Sequence, residues 1–186
     1  TLLKNPLSNT DVLSKPSITD DGKHVVFVGT DKKIHYIKMD WPSGNGTEEI
    51  ISNQAIWRTA AISKDGSKIA ALKDEVENKV HVWSYLLQKW QEFELYNPST
   101  AQGVELGTVL YADVLEFDYS GEWIMYDCKN SLSSGGFFDI EYWDIGFLNV
   151  WNNKSKTFTQ GRVEKLFSGL PDDVSIGNPV FSKNSP

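Results

Sequence analysis

The sequence predicts an all-β fold built from repeated four-stranded antiparallel units. Apolar residues come in short runs rich in Val, Ile, Phe, Trp and Tyr, and Gly, Asn, Asp and Pro interrupt these runs. This pattern is typical of strands and turns and does not fit the period of a helix. A polar turn motif also recurs directly after an apolar strand, and such recurrence indicates a repeat protein.

The turn motif appears in four copies. Gly22, Gly66 and Gly121 end the first three, and Ser185 ends the fourth. A residue able to take positive φ suits this place in a tight turn, so the three glycines are predicted structural turn residues. The four copies are residues 18–22 (Ile-Thr-Asp-Asp-Gly), 62–66 (Ile-Ser-Lys-Asp-Gly), 117–121 (Phe-Asp-Tyr-Ser-Gly) and 181–185 (Phe-Ser-Lys-Asn-Ser).

Three more strands are predicted after each of the first three turns. The second strands of the units are apolar on both faces, which predicts that neighbouring layers bury them from both sides. They lie at 25–28, 69–72 and 123–126. The third strands are predicted at 34–37, 80–83 and 148–151, and the more polar fourth strands at 48–51, 90–93 and 163–166.

Four strands per unit is the composition of a propeller blade. We therefore predict an all-β partial β-propeller of four-stranded antiparallel blades, with about three blades and a stub, in a single segment spanning 1–186. The predicted units are approximately 15–52, 57–95 and 112–167, and the first strand of a fourth unit is predicted at 178–183.

The turn motifs also carry a family resemblance. Residues 16–27 read Pro-Ser-Ile-Thr-Asp-Asp-Gly-Lys-His-Val-Val-Phe, and residues 178–184 read Asn-Pro-Val-Phe-Ser-Lys-Asn. They resemble the Pro-x-Phe-Ser-Pro-Asp-Gly-Lys-x-Ile-x-Phe signature of the WD-repeat-like propeller units of TolB-type proteins. No copy has the proline before Asp-Gly, and the third and fourth copies lack Asp-Gly itself. The resemblance implies a propeller scaffold in the periplasm or associated with the cell envelope.

Three blades are too few for a closed ring, because closed propellers have four blades or more. The sequence therefore predicts that either a longer parent chain or self-association of this chain completes the propeller.

Composition excludes several classes of partner. The chain has 25 acidic and 18 basic residues and a net charge of −7, which argues against nucleic-acid binding. No run approaches the roughly 20 apolar residues of a membrane-spanning helix, so no membrane insertion is expected. A single cysteine, Cys128, excludes an intrachain disulfide and a cysteine-based zinc site.

The candidate site follows from the predicted loops. The longest irregular segments are predicted at 96–111, 129–146 and 168–177, all at the end of the strands opposite the Asp-Gly turns. Aromatic rings and carboxylates crowd the second of these segments, and both groups suit a peptide or a sugar. The predicted partner-binding residues are Phe137, Phe138, Asp139, Glu141, Tyr142, Trp143 and Asp144, with Asp172 and Asp173 from the third segment.

Two other interpretations of this segment stay open. The aromatic side chains could simply fill the edge of the blade, with the carboxylates in solvent. Asp127, Asp139, Glu141 and Asp144 are also hard oxygen donors of the kind that calcium prefers. However, their spacing lacks the Asp-x-Asp-x-Asp-Gly frame of a calcium loop. The sequence therefore predicts no cofactor, and calcium is an additional hypothesis.

The histidines have a structural explanation. His35 and His81 occupy the same place in successive units, and Asn149 occupies it in the third. A polar residue repeated in a repeated strand predicts a repeated structural hydrogen bond instead of a metal ligand or a catalytic group.

Recognised nucleophile and phosphate-loop patterns are missing from the sequence, so no enzyme is predicted. The leading hypothesis is a non-catalytic propeller segment that binds a protein or peptide partner through its loop-bearing rim. One alternative is the propeller portion of a larger hydrolase or peptidase. Another is a carbohydrate- or calcium-binding module centred on residues 137–144.

Overall fold

The computed structural model describes residues 10–41, 43–98, 107–133, 138–167 and 174–182. These ranges contain strands and turns and no helix, and they hold no helix long and apolar enough to cross a membrane. The strands are β1 (Ser17–Ile18), β2 (His24–Val28), β3 (Ile34–Asp40), β4 (Asn45–Ser52), β5 (Trp57–Ile62), β6 (Lys68–Lys73), β7 (Lys79–Ser84), β8 (Lys89–Glu94), β9 (Thr108–Phe117), β10 (Trp123–Ser133), β11 (Asp139–Asn149), β12 (Trp151–Asn152), β13 (Thr157–Phe158) and β14 (Val163–Lys165).

The strands form successive antiparallel sheets that each follow chain order. Unit one is β1-β2-β3-β4, and unit two is β5-β6-β7-β8. Unit three is β9-β10-β11-β14, with the small β12-β13 ribbon inserted before its last strand. Each unit is an up-and-down four-stranded blade. The chain is therefore an all-β partial propeller, as the sequence predicts.

The tight turns between the first and second strands take the same form in each unit. Gly22, Gly66 and Gly121 have φ values of 68°, 73° and 66°. In unit two, the Ser63 hydroxyl donates to Asp65 Oδ1 at 2.6 Å, and that oxygen also accepts from the Ser67 N–H at 3.0 Å. Side-chain hydrogen bonds and the glycine in the left-handed conformation therefore both stabilise these turns.

The core lies between adjacent blades, and β6 shows how the sequence builds it. Ile69 and Ala71 belong to the apolar cluster shared with unit one. Ala70 and Leu72 point the other way, into the cluster shared with unit three. Neighbouring residues of a strand face opposite sides of the sheet, so a middle blade requires the doubly apolar strand that the sequence contains.

The described parts of the irregular segment predicted at 129–146 lie instead in two paired strands, which form a long hairpin. β10 and β11 pair without a shift from Trp123 opposite Asn149 to Ser133 opposite Asp139. The expectation of an irregular insertion is therefore wrong. The polar run 129–131 suggested a loop, but these residues alternate faces of a strand whose partner is rich in Ile, Tyr and Trp, which favour sheet. The loop predicted at 96–111 is also shorter, because β9 begins at Thr108.

The strand predicted at 178–183 does not form within its described part, 178–182. The Phe181 N–H instead donates to Glu116 Oε2 at 2.9 Å. Two units earlier along the chain, the Ile62 N–H donates to Ser17 Oγ at 3.1 Å, and these residues hold the same places in the turn motif. The segment therefore lies as the first strand of a fourth blade should, but no described second strand is present to pair with it.

Candidate functional site

Two connecting segments meet the long hairpin of unit three at the end opposite its Asp-Gly-type turn. The Asn97 amide donates to the Gly107 carbonyl and, at 2.9 Å, to Asn130 Oδ1 on β10. The Gly107 N–H in turn donates to the Tyr142 hydroxyl oxygen on β11 at 3.3 Å. These bonds bring both ends of the connection between units two and three onto the hairpin.

The segment 174–178 approaches the same hairpin from the other side. The Ile176 N–H donates to the Trp143 carbonyl at 3.1 Å. The Trp143 N–H donates to Ser175 Oγ at 3.2 Å. Segments distant in sequence therefore converge on one rim of unit three, which is the end of the strands where the sequence predicts the long connections.

A cavity of about 240 Å³ lies between the sheet of unit three and this segment. We call it the Trp143 pocket. It is lined by Asp113, Asp127, Trp143, Ser175, Ile176, Gly177 and Asn178.

An aromatic and cationic layer supports the wall of the Trp143 pocket. The Trp143 ring contacts the edge of Tyr111, with ring centroids 5.7 Å apart. The Arg58 guanidinium lies 5.8 Å from the centre of the Tyr111 ring on β9, and it also pairs with the exposed Asp113 carboxylate. Arg58 belongs to β5, so unit two contributes to the support of a site in unit three.

The Asp127 carboxylate holds the floor of the Trp143 pocket in place. It is 2% exposed, and Oδ1 accepts from the N–H groups of Asp113 at 3.2 Å and Val114 at 2.7 Å. Oδ2 accepts from the Asn178 N–H at 2.9 Å. Asp113 and Val114 lie where the pairing of β9 with β10 shifts register, so Asp127 satisfies donors that the ladder leaves unpaired. Neither Asp113 nor Val114 carries a local sequence signal of a bulge, so the sequence does not predict their part in the site.

The predicted partner-binding residues do not all lie together. Trp143 forms the pocket wall, and Phe138 is 84% exposed near the tip of the hairpin. Asp139 and Glu141 are exposed, and Glu141 pairs with Lys129 Nζ at 2.5 Å, a hydrogen bond that raises the pKa of the lysine. Phe137, Asp172 and Asp173 lie outside the described residues.

Asp144 is separated from the Trp143 pocket because it lies on the other face of the sheet. It is opposite Cys128, and its Oδ2 is 3.3 Å from the buried Lys165 Nζ. Lys165 Nζ also lies 3.2 Å from Cys128 Sγ, and burial raises the pKa of the Cys128 thiol. Asp144 therefore takes part in a buried ion pair and not in the rim surface.

The same geometry divides the carboxylates of the calcium hypothesis. Asp127 and Asp144 belong to opposite faces of the sheet, while Asp139 and Glu141 are exposed. Within the described part of the chain, no group of three or more His, Cys, Asp or Glu side chains is arranged to hold a metal ion. The four predicted calcium ligands therefore do not converge on one point.

His35 and His81 form the predicted structural hydrogen bonds, but the expectation that Asn149 is their counterpart is wrong. Asn149 lies opposite Trp123, and Gly146 takes the equivalent place opposite Tyr126. His35 lies between two carboxylates, with Nδ1 at 2.5 Å from Glu48 Oε1 and Nε2 at 3.0 Å from Asp31 Oδ1. His81 Nε2 lies 2.6 Å from Glu77 Oε1. Both rings are buried against the carboxylates of their own unit.

No family model matches the sequence, and no curated protein matches it. Solved structures with a similar strand arrangement include TolB from Acinetobacter baumannii, at 17% identity over 87% of this chain and 34% of that chain, with a TM-score of 0.49. The periplasmic gluconolactonase of Pseudomonas aeruginosa matches at 13% identity over 81% of this chain and 40% of that chain, with a TM-score of 0.43.

A structure from a study of two prolyl endopeptidases matches at 18% identity over 84% of this chain and 23% of that chain, with a TM-score of 0.46. The chain therefore spans between 23% and 40% of the length of these three proteins. The envelope-associated location that the sequence resemblance implies stays a prediction.

Proposed function

We propose that the chain is a non-catalytic propeller segment that binds a protein or peptide partner at the rim of unit three, with the Trp143 pocket as the anchor point. The observation that carries this proposal is the make-up of the pocket. An indole ring forms one wall, and the carboxylates of Asp113 and Asp127 lie beside it. This combination suits a basic side chain, whose apolar stem can lie on the ring while its charge meets the carboxylates.

The size of the pocket favours a partner side chain over a free small molecule. Its volume of about 240 Å³ is below the range of roughly 300–1,000 Å³ usual for small-molecule sites. On the same face of β11 as Trp143, the exposed side chains of Asp139 and Glu141 extend the surface along the hairpin beyond the pocket. Trp, Tyr and Arg dominate binding energy at protein interfaces, and the pocket wall contains Trp143 backed by Tyr111 and Arg58.

Two further observations support a binding segment of a larger assembly. The bond from the Phe181 N–H to Glu116 repeats the contact that joins units one and two, so we propose that a longer parent chain or another copy supplies the rest of a fourth blade. Among the described residues, the side chains of His35, His81 and Cys128 are buried, so these groups do not reach a substrate at the surface.

Selection from a random peptide library on the immobilised chain tests the proposal, followed by titration of the selected peptides. Trp143→Ala is expected to weaken their binding about tenfold or more, because it removes the aromatic anchor. Trp143→Phe is expected to retain most of the affinity. Fluorescence anisotropy of labelled peptides measures these changes.

Tyr119→Ala is the matched control. Tyr119 is an exposed aromatic residue of the same unit, but it lies in the turn at the opposite end of the strands. It is expected to leave peptide binding unchanged. Circular dichroism melting of each variant separates loss of binding from loss of folding. Equal binding by folded Trp143→Ala and wild type would contradict the proposal.

A further inference from the structure

The outer edge of β11 is only partly paired. β14 pairs with it from Gly146 to Leu148, and the Leu166 N–H donates to the Ile145 carbonyl at 3.0 Å. The segment 174–176 then covers Trp143. Beyond Trp143, from Asp139 to Glu141, no residue in the described ranges pairs with this edge.

The stretch from Asp139 to Glu141, which has no partner strand among the described residues, presents regular backbone groups to any added strand. Ile145 uses an outward carbonyl, and Trp143 uses both its outward N–H and its outward C=O. In an antiparallel ladder every second residue directs both groups to the same side, and β11 pairs with β10 without a register shift. Glu141 and Asp139 therefore direct their N–H and C=O groups outward as well.

We propose that this edge accepts an extended segment of a basic partner protein as an added β-strand, which specifies the binding mode of the partner inferred above and rests on that function. The contact made by the Ile176 N–H shows that the edge already accepts backbone hydrogen bonds at Trp143. An incoming strand continues this pairing over Asp139 and Glu141 by strand addition.

The acidic side chains at this edge indicate that the partner segment is basic. The side chains of Asp139 and Glu141 are exposed and lie on the same face of the sheet as Trp143. Residues of an added strand that are two apart lie beside these two carboxylates, so the segment carries basic residues in an alternating pattern. Lys129 already pairs with Glu141, whereas no described cation pairs with Asp139.

The same charges disfavour a second copy of this chain at the edge. Two such edges placed together would bring the Asp139 and Glu141 carboxylates of both copies close, and like charges on paired strands destabilise the pairing. Acidic residues on an exposed edge commonly act against self-association in this way. A basic segment of another protein relieves this repulsion.

A capped synthetic heptapeptide of alternating lysine and valine is the probe, with calorimetric titration and amide hydrogen exchange as readouts. The peptide is expected to bind and to slow exchange of the Asp139 and Glu141 amides about tenfold or more, because those N–H groups become bonded. A peptide N-methylated at alternate amides and a peptide of alternating glutamate and valine are expected not to bind. Equal binding by the methylated peptide, or no protection of the two amides, overturns the inference.

Variants of the chain test the same edge. Glu141→Pro removes an outward donor at a position where an edge strand tolerates proline, and Asp139→Lys reverses the charge. Each is expected to weaken peptide binding about tenfold or more, judged against typical interface truncations. Glu75→Lys, at an exposed acid of unit two, is the control and is expected to have a smaller effect than Asp139→Lys.

These variants separate the two proposals. If strand addition is correct and the Trp143 pocket is not an anchor, Glu141→Pro weakens binding of the lysine peptide and Trp143→Ala does not. If the pocket binds a partner in another way, Trp143→Ala weakens the library-selected peptides, while Glu141→Pro leaves them unchanged and the lysine peptide gives no protection. The second outcome overturns strand addition alone.

Discussion

Units one and two differ from unit three in the residue that occupies one position of the third strand. In the first two units this position is a buried histidine between carboxylates: Asp31 and Glu48 for His35, and Glu77 and Glu92 for His81. In unit three the register places Gly146 at this position, opposite Tyr126, whereas Asn149 lies opposite Trp123 and corresponds to Ser84 of unit two. The blade geometry survives the exchange, so the strand frame does not depend on one polar side chain.

Unit three places its buried charges elsewhere. Asp127 lies on one face of β10, and the Asp144–Lys165 pair lies beside Cys128 on the other. The Asp127 face carries the Trp143 pocket. The comparison indicates that the units share their backbone pattern and that the distinctive surface of unit three arises where its polar residues depart from the repeat.

The largest expected effect comes from breaking the buried pair of unit three. Lys165→Met leaves the buried Asp144 carboxylate uncompensated, and loss of one partner of such a pair typically costs about 3–5 kcal/mol. We expect a decrease of this size in the free energy of unfolding, measured by urea denaturation. A decrease below about 1 kcal/mol would show that this pair behaves as a solvated surface pair.

The double variant Lys165→Met with Asp144→Leu is the matched test. It removes both charges and replaces them with apolar groups, an exchange that is often close to neutral in proteins. We expect the double variant to be more stable than Lys165→Met alone. A double variant less stable than either single change would mean that Cys128 and its neighbours depend on the charges themselves.

The second expected effect comes from removing the buried imidazole of unit two. His81→Asn shortens the side chain that reaches Glu77 and Glu92, and the loss of a buried charge-assisted hydrogen bond costs about 1.5–3 kcal/mol. Urea denaturation at neutral pH measures the change. If His81→Asn is as stable as the wild type, the buried histidine does not stabilise unit two and the contrast between the units disappears.

The third expected effect concerns contact between the turns of units one and two. A Cβ atom at Gly66 would meet Thr19 Cγ2 of unit one at 3.3 Å, and Gly66 has φ of 73°. Gly66→Val is therefore expected to destabilise by about 1–3 kcal/mol through backbone strain, with crowding in addition. Gly22→Val shares the positive φ but has no neighbour within 4 Å, so its thermal unfolding temperature is expected to fall less.

The repeated pattern of strands and turns is predictable from the sequence because short segments within each unit specify it. The motif ending in Gly66 specifies a turn, and the run 69–72 specifies a strand buried on both faces. The resulting sheets follow from short-range pairing of consecutive strands. His35 and His81 were also correctly interpreted, since a repeat reveals a shared structural role without any knowledge of the partners.

The candidate site was harder to predict because its contacts are long-range. Trp143 was identified from composition alone, but its neighbours Asp113 and Ser175 come from other segments and carry no local signal. The hairpin was mistaken for a loop because the polar run 129–131 hides strand pairing that only the partner strand reveals. Asp144 adjoins Trp143 in sequence but faces away from it, which only strand register decides.

The smallest expected effect is a difference in acid sensitivity between the same two regions. The described carboxyl groups whose pKa values are lowered all belong to units one and two: Asp21, Asp31, Asp65, Asp74 and Glu92. For Glu92 the first cause is the hydrogen bond from Lys79. For Asp31, burial raises the pKa, but hydrogen bonds from His35 and the Lys33 N–H outweigh it.

A pKa lowered by folding means that the folded state favours the ionised carboxylate. The stabilisation is complete above the unfolded pKa of about 4, and it is lost as the pH falls through the lower folded value. Acid should therefore loosen units one and two before unit three. Pulse-labelling hydrogen exchange after incubation at about pH 6 and about pH 3 measures the order, because the pulse itself is applied at one common pH. Asp31→Asn is expected to reduce the loss of protection in unit one. Earlier exchange in the strands of unit three would show that its buried charges, and not the paired carboxylates of the first two units, control the response to acid.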